Sequence, residues 1–144
     1  MLARVRDWRT LLLEWAEAQV GRPLIWGETD CASLARASLR ICFGEEVLGE
    51  LPVWHTKRGA LRTLKLHDPS AVLEKLGAER RGMGFARGGD IVVLPPDPSG
   101  GVSLGVWVDG GCLMVSEEDG VRMIRAPDVS SEGVVYSLWE IARG

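Results

Sequence analysis

The periodicity of the apolar residues changes near residue 80, and this change limits the folds open to the chain. Before residue 80, apolar side chains recur every three to four residues, which predicts amphipathic helices. After it, the apolar runs are short, rich in β-branched residues and bounded by turn residues, which predicts strands. Helices followed by consecutive strands are typical of an α+β domain, with N-terminal helices packed on a C-terminal antiparallel sheet.

Four helices are predicted in the first part of the chain. The first begins after Asp7, ends near Gly21 and carries an apolar stripe toward the core. That stripe consists of Trp8, Leu11, Leu12 and Trp15. The starts of the other three helices are indicated by residues that cap helices, namely Thr29 or Asp30, then Thr56, then Asp68 followed by Pro69.

About five strands are predicted in the second part. The runs that predict them are "DIVVL", "VSLGVWV", "CLMVS", "VRMIRA" and "VVYSLWEI". "DGG" and "EEDG" separate three of these runs and predict hairpin turns with glycine at positive φ. At 144 residues the chain has the size of one domain. We therefore expect a single domain over 1–144, with 1–80 mainly helical and 81–144 mainly β.

The number and the positions of the charged residues argue against two classes of partner, nucleic acid and membrane. Lys and Arg number 17 against 20 Asp and Glu, a net charge of -3, so no basic field is expected to attract nucleic acid. The N-terminal apolar runs are interrupted by Asp7, Glu14 and Glu17, so we expect no membrane span and synthesis in a cytoplasm.

The cysteines and histidines are too few and too scattered for a metal site. Cys31, Cys42 and Cys112 are an odd number without C-x-x-C spacing, and only His55 and His67 could add imidazoles. We expect no disulfide framework, no metal and no cofactor.

Cys31 lies where a helix N-terminus favours thiolate. Unpaired backbone N–H groups and the positive end of the helix dipole both stabilise negative charge there. Hydrolysis of an amide also needs a base, usually histidine, and a group that orients it. Free cysteine is also among the residue types most often buried in cores, so the spacing alone leaves Cys31 open as nucleophile or core residue and favours the core.

Three motifs together resemble a known family. They are W-G-x-x-D-C from Trp26 to Cys31, "RGGDIVVL", and "VSLGVWVDG". This combination is similar to the NlpC-type cell-wall peptidases, a compact branch of the papain-like cysteine peptidases. It is closer still to small NlpC-like proteins encoded in phage tail and prophage gene clusters. The resemblance covers residues 8–141 and implies a papain-like fold in which the nucleophile would be Cys31.

The same resemblance implies that the catalytic base is missing. The family histidine aligns with Ser103, and the third catalytic position falls near Met114. Serine titrates far above neutral pH and cannot replace an imidazole. His55 and His67 lie outside the predicted sheet, so we expect both in solvated loops, with a small chance that His55 reaches the cleft.

Other candidate binding residues have structural alternatives. Asp30 can cap the second helix, and Asp90 can bind turn amides at a strand entrance. Trp26 can line a cleft or fill the core against Trp8 or Trp15, and we favour the core. Trp54 and Trp107 are the tryptophans expected to anchor a protein interface.

Three functions fit these observations. The resemblance and the missing base favour a structural or assembly protein of a phage tail tip or baseplate, located in the virion tail beside other tail or hub proteins. The alternative is an active cysteine endopeptidase or amidase that cleaves peptidoglycan during tail penetration, with an unrecognised base. A third, weaker possibility is a cytoplasmic thiol hydrolase or transferase unrelated to phage.

Overall fold

The first part of the chain is helical, as the periodicity predicts. The structure, a computed structural model, describes residues 1–96 and 103–142. Its helices are α1 (Trp8–Gln19), α2 (Cys31–Phe43), α3 (Lys57–Leu66) and α4 (Pro69–Leu76). Asp30, Thr56 and Asp68 each accept a hydrogen bond from the backbone N–H three residues later, so the caps predicted for α2, α3 and α4 are confirmed.

Helix α1 begins after Asp7 as predicted, but its cap and its apolar stripe differ from the prediction. Asp7 is at the N-cap, but its side chain makes no capping hydrogen bond. Trp8 and Leu12 are buried, whereas Leu11 is 42% exposed. Ala16 takes its place in the core, since it lies four residues after Leu12 on the same face of the helix.

The second part of the chain is mainly β, and its strands are more numerous than predicted. One short strand, β1 (Leu2–Ala3), precedes α1. The strands of the second part are β2 (Glu79–Gly82), β3 (Ile91–Leu94), β4 (Ser103–Val108), β5 (Gly111–Ser116), β6 (Gly120–Arg125), β7 (Val134–Ser137) and β8 (Glu140–Ile141). Gly110 and Gly120 both have positive φ, as the hairpin turns require. The run "VVYSLWEI", predicted as one strand, is divided between β7 and β8.

The main sheet has the order β2-β7-β3-β4-β5-β6, and every pair of neighbouring strands in it is antiparallel. Strands β3 to β6 form the expected meander. The chain then returns to place β7 beside β3, and the unpredicted β2 pairs with the outer edge of β7. The fold is therefore α+β, with a helical N-terminal part and an antiparallel C-terminal sheet.

The two faces of the main sheet cover different apolar clusters. Leu104, Val106 and Val108 of β4 pack with the helices in the larger cluster. Trp107 alternates with them and packs in a smaller cluster on the opposite face. None of the helices in the described residues combines the length and the apolar character needed to cross a membrane.

A second, two-stranded sheet joins distant parts of the chain. Leu2 of β1 pairs with Ile141 of β8. Arg4, the residue that follows β1, donates from Nε to the carbonyl of Leu138 at 3.0 Å and from Nη1 to the carbonyl of Gly88 at 2.9 Å. Its guanidinium lies over the rings of both Trp8 and Trp139. Residues 2–4 thus connect β8 and the segment before it to the first turn of α1.

Candidate functional site

Asp30 fixes the start of α2. Its Oδ1 accepts from the backbone N–H of Ser33 at 2.9 Å, and its Oδ2 accepts from the hydroxyl of the same residue at 2.9 Å. These bonds satisfy groups that the first turn of a helix leaves without intrahelical partners. The cap places Cys31 as the first residue of α2.

The same carboxylate also holds two loops against the helix. Asp30 Oδ2 accepts from the backbone N–H of Gly27 at 2.6 Å and from the indole N–H of Trp54 at 3.0 Å. The Asp30 side chain is buried, so these donors replace water around a charged group. The capping role predicted for Asp30 is confirmed, and its bond to Trp54 is an addition that the sequence did not indicate.

The loop before α2 is held by a buried threonine. The Thr29 hydroxyl accepts from the backbone N–H of Ile25 at 2.7 Å and donates to the carbonyl of Pro23 at 2.7 Å. Gly27 has φ of +89°, and a Cβ at this position would collide with the backbone carbonyl of Trp54. The W-G-x-x-D-C motif therefore has structural reasons for its glycine and aspartate, independent of catalysis.

The environment of Cys31 favours a protonated thiol. The side chain is partly exposed and packs against the larger apolar cluster. Burial raises the pKa of the Cys31 thiol, and the neighbouring Asp30 carboxylate raises it further, while the backbone N–H of Leu104 acts in the opposite direction. The increase in the thiol pKa caused by burial exceeds the decrease caused by the backbone N–H groups at the helix N-terminus. At neutral pH the thiol form therefore predominates.

Ser103, which the resemblance to NlpC-type peptidases would align with their catalytic histidine, lies on the strand that contacts this thiol. Ser103 is the first residue of β4, pairs with Leu94 of β3, and immediately precedes Leu104. Met114 lies on β5, where its side chain packs against the smaller apolar cluster. Strands β4 and β5 carry no histidine in their sequence, so the sheet beside Cys31 supplies no imidazole.

Both histidines are exposed, but they lie in different surroundings. His67 is at the C-cap of α3. His55 lies in the loop before α3, and its Nδ1 would be 3.4 Å from a Cβ built on Gly27. Since Gly27 donates to Asp30, the loop that carries His55 lies against the start of α2. Of the two histidines, His55 is thus the one placed beside the W-G-x-x-D-C motif.

The tryptophans are placed differently from the predictions. Trp26 is half-buried and lies outside both apolar clusters of the described residues, so the expected packing against Trp8 or Trp15 is wrong. Trp107 is only 9% exposed and is part of the smaller cluster, which corrects its expected role as an exposed interface anchor. Trp54 is half-buried, and its indole N–H is used by Asp30.

Cys42, Cys112 and Asp90 have structural surroundings. Cys42 and Cys112 are buried in the two clusters. Asp90 Oδ2 accepts from the backbone N–H of Arg87 at 2.8 Å, so its predicted turn contact is confirmed. In residues 1–96 and 103–142 no group of His, Cys, Asp and Glu side chains is arranged to hold a metal ion.

Sequence reasoning missed two contacts that organise the molecule. The Trp54 to Asp30 bond joins residues 24 positions apart, and the Arg4 to Leu138 bond joins residues 134 positions apart. Neither pair has a local sequence signal. For the first pair, the nearest indication is the bias of the aromatic residues, six Trp against one Tyr and two Phe, because a buried indole N–H requires an acceptor.

The comparisons with known proteins identify a family but no activity. No curated protein matches the chain. A family model described as "Domain of unknown function (DUF6950)" matches residues 3–131, which is most of the sequence. The chain therefore belongs to the DUF6950 family.

Proposed function

We propose that the protein is a structural or assembly component of a phage, or phage-derived, tail tip or baseplate, built on a degenerate NlpC-like, papain-like fold. It resides in the virion tail and packs against other tail-tip, baseplate or hub subunits. The observation that carries this proposal is the site at Cys31. The Cys31 thiol has a raised pKa, and Ser103 occupies the position that aligns with the catalytic histidine of NlpC-type peptidases.

The chemistry of amide cleavage explains why this site supports a structural role. A cysteine peptidase needs a thiolate to attack the carbonyl and an acid to protonate the leaving nitrogen. Burial disfavours the thiolate of Cys31, and Ser103 cannot act as the acid near neutral pH. Loss of general acid–base catalysis typically costs ~10²–10⁴-fold in rate. The W-G-x-x-D-C motif still has a purpose, because Asp30 and Gly27 hold two loops on α2.

Two sets of particles test the assembly role. Particles from a strain lacking this gene are expected to be malformed or non-infectious, whereas particles carrying Cys31→Ala are expected to be sound. Electron microscopy and plaque counts measure both. Full infectivity of the deletion strain would contradict the assembly role, and defective Cys31→Ala particles would contradict a role independent of the thiol.

The alternative function is an active peptidoglycan endopeptidase or amidase, and the position of His55 favours it. The imidazole lies against Gly27, beside the motif that ends in Cys31. If His55 acts as the base, purified protein releases new amino groups from peptidoglycan, and both Cys31→Ala and His55→Gln abolish the release. His67→Gln is the comparison variant, because His67 is also exposed, at the C-cap of α3, and lines a pocket with Ala32 and Leu104; unchanged release in this variant assigns the base to His55.

Alkylation by iodoacetamide separates the two functions without a substrate. For the structural role, the rate at Cys31 is low at neutral pH and continues to rise above the ordinary thiol pKa, because burial raises the pKa of this thiol. Cys31→Ala identifies the signal from this residue. Rapid alkylation at pH 7 that His55→Gln slows would overturn the structural proposal and support the enzyme.

A further inference from the structure

A groove of about 650 Å³ lies at the opposite end of β4 from Cys31. Strand β4 begins beside the thiol at Ser103 and ends beside the groove at Val108, so the two regions are ~15–20 Å apart. The groove runs between the first turns of α1, the segment before β3 and the β4–β5 turn. Its walls include Arg9, Leu13, Arg87, Trp107, Asp109 and Trp139.

Arginine side chains cover the tryptophan rings at this groove. The Trp8 and Trp139 rings meet edge to face, with centroids 5.3 Å apart. The Arg4 guanidinium carbon lies 4.4 Å from the Trp8 centroid and 3.9 Å from the Trp139 centroid. Arg9 lies 5.1 Å from the Trp8 centroid, and Arg87 lies 5.3 Å from that of Trp139. The rings of Trp8 and Trp139 therefore form cation–π contacts with arginine side chains.

The three arginines differ in their exposure. The Arg4 side chain is 3% exposed and is engaged with backbone carbonyls. Arg9 and Arg87 are exposed. Arg87 donates from Nη2 to the hydroxyl of Ser137 at 3.1 Å, which fixes its orientation. Neither Arg9 nor Arg87 forms a salt bridge with a carboxylate in the described part of the chain. The groove thus offers two exposed guanidinium groups to a ligand, one of which, Arg87, is held by Ser137.

These features select one chemical class of ligand. Sugars and bases bind on free aromatic faces, but guanidinium groups already lie over the rings of Trp8 and Trp139, and Trp107 is only 9% exposed. A nucleic acid backbone is disfavoured by a net charge of -3. A guanidinium group matches a carboxylate or a phosphate in geometry as well as charge, so the class is an anion. Leu13, which is 41% exposed, adds an apolar wall beside the cations.

We propose that this groove binds an acidic segment of a partner protein. Carboxylates of the segment pair with Arg9 and Arg87, and an adjacent apolar side chain packs against Leu13. The excess of these two arginines over the single wall carboxylate, Asp109, provides the charge complementarity. This inference goes beyond the proposed function and does not depend on it, because the groove and Cys31 lie at opposite ends of β4.

A pair of synthetic peptides tests the proposal on the whole chain. The probe has alternating character, Glu-Leu-Glu-Glu-Leu-Glu, and its control replaces each glutamate with glutamine. Both are end-blocked and carry the same fluorophore. Fluorescence anisotropy is expected to give at least tenfold tighter binding of the acidic probe. The affinity is expected to fall several-fold between low and physiological salt, because exposed charges are screened.

Charge reversal locates the binding. Arg9→Glu together with Arg87→Glu is expected to abolish binding of the acidic probe. Arg58→Glu together with Arg62→Glu is the matched control, because these arginines are exposed on α3, away from the groove. Circular dichroism checks that both double variants fold. The milder pair Arg9→Gln and Arg87→Gln, expected to weaken binding at least fivefold, replaces the groove variant if it unfolds.

Three outcomes would overturn the proposal. One is equal affinity for the acidic and the glutamine peptide. Another is binding that both double variants lose to the same extent, which would indicate a general charge effect. The third is concentration-dependent self-association in sedimentation that disappears in the groove variant, which would make a second copy of this chain the occupant.

Discussion

Replacing Asp30 by alanine is expected to destabilise the protein far more than the loss of an ordinary helix cap. Asp30 is 2% exposed, and its carboxylate accepts from Gly27, Ser33 and Trp54. Losing the cap costs about 1 kcal/mol. Leaving the backbone N–H of Gly27 and the indole N–H of Trp54 without an acceptor adds about 1–2 kcal/mol each. We therefore expect the free energy of unfolding to fall by about 3–5 kcal/mol.

Asp68→Ala is the matched control for this variant. Asp68 is also the N-cap of a helix, but it is exposed and accepts a single hydrogen bond, from the backbone N–H of Ala71 at 3.1 Å. Its loss is expected to cost about 0.5–1 kcal/mol. Urea unfolding followed by far-ultraviolet circular dichroism measures both variants without relying on the fluorescence of Trp54. Equal losses for the two variants would refute the reasoning that Asp30 joins loops as well as capping a helix.

Three further predictions concern the packing and the thiols. Gly105→Ala places a Cβ against the sulfur of Cys112 and is expected to lower the free energy of unfolding in urea by about 1–3 kcal/mol. Most of this loss is expected to be recovered when Cys112→Ala is added, and no recovery would contradict the contact. Gly27→Ala is expected to destabilise more than Gly110→Ala, since both have positive φ but only the Cβ at Gly27 meets a backbone carbonyl; urea midpoints in the reverse order would refute this. Burial raises the pKa of Cys112 to about 12, so the unfolded chain loses this proton first and the free energy of unfolding falls as pH rises from about 9 to 12. This decline is expected to be steeper in wild type than in Cys112→Ala, by at most ~1.4 kcal/mol per pH unit, and parallel curves would contradict it.

The helix starts could be predicted because their signals are local. A capping side chain bonds to an amide three residues later, as Thr56 does to Gly59 and Asp68 to Ala71. The hairpin turns were predictable for the same reason, since a tight turn with positive φ favours glycine. The strand β2 (Glu79–Gly82) was missed because its sequence, "ERRG", lacks apolar alternation and it is held to β7 by its backbone.

The site was predictable in position but not in environment. Cys31 and Asp30 are adjacent in sequence, so a helix start there placed both correctly. The pKa of the thiol depends on its burial against the larger cluster and on the amide of Leu104, which is 73 residues away along the chain. Burial of Trp107 likewise depends on which face of β4 it occupies, which the strand pairing determines. Such properties arise from tertiary packing and have no local signal.

The pairing of β1 with β8 has a consequence for synthesis on the ribosome. Leu2 and Ala3 are made before their partners Ile141 and Glu140, which follow some 140 residues later in the chain. Until then, the guanidinium of Arg4 lacks its acceptor, the carbonyl of Leu138, and the ring of Trp8 lacks the ring of Trp139. We therefore expect the N-terminal segment to join the fold last, after the hairpins of the meander have formed through their short-range contacts.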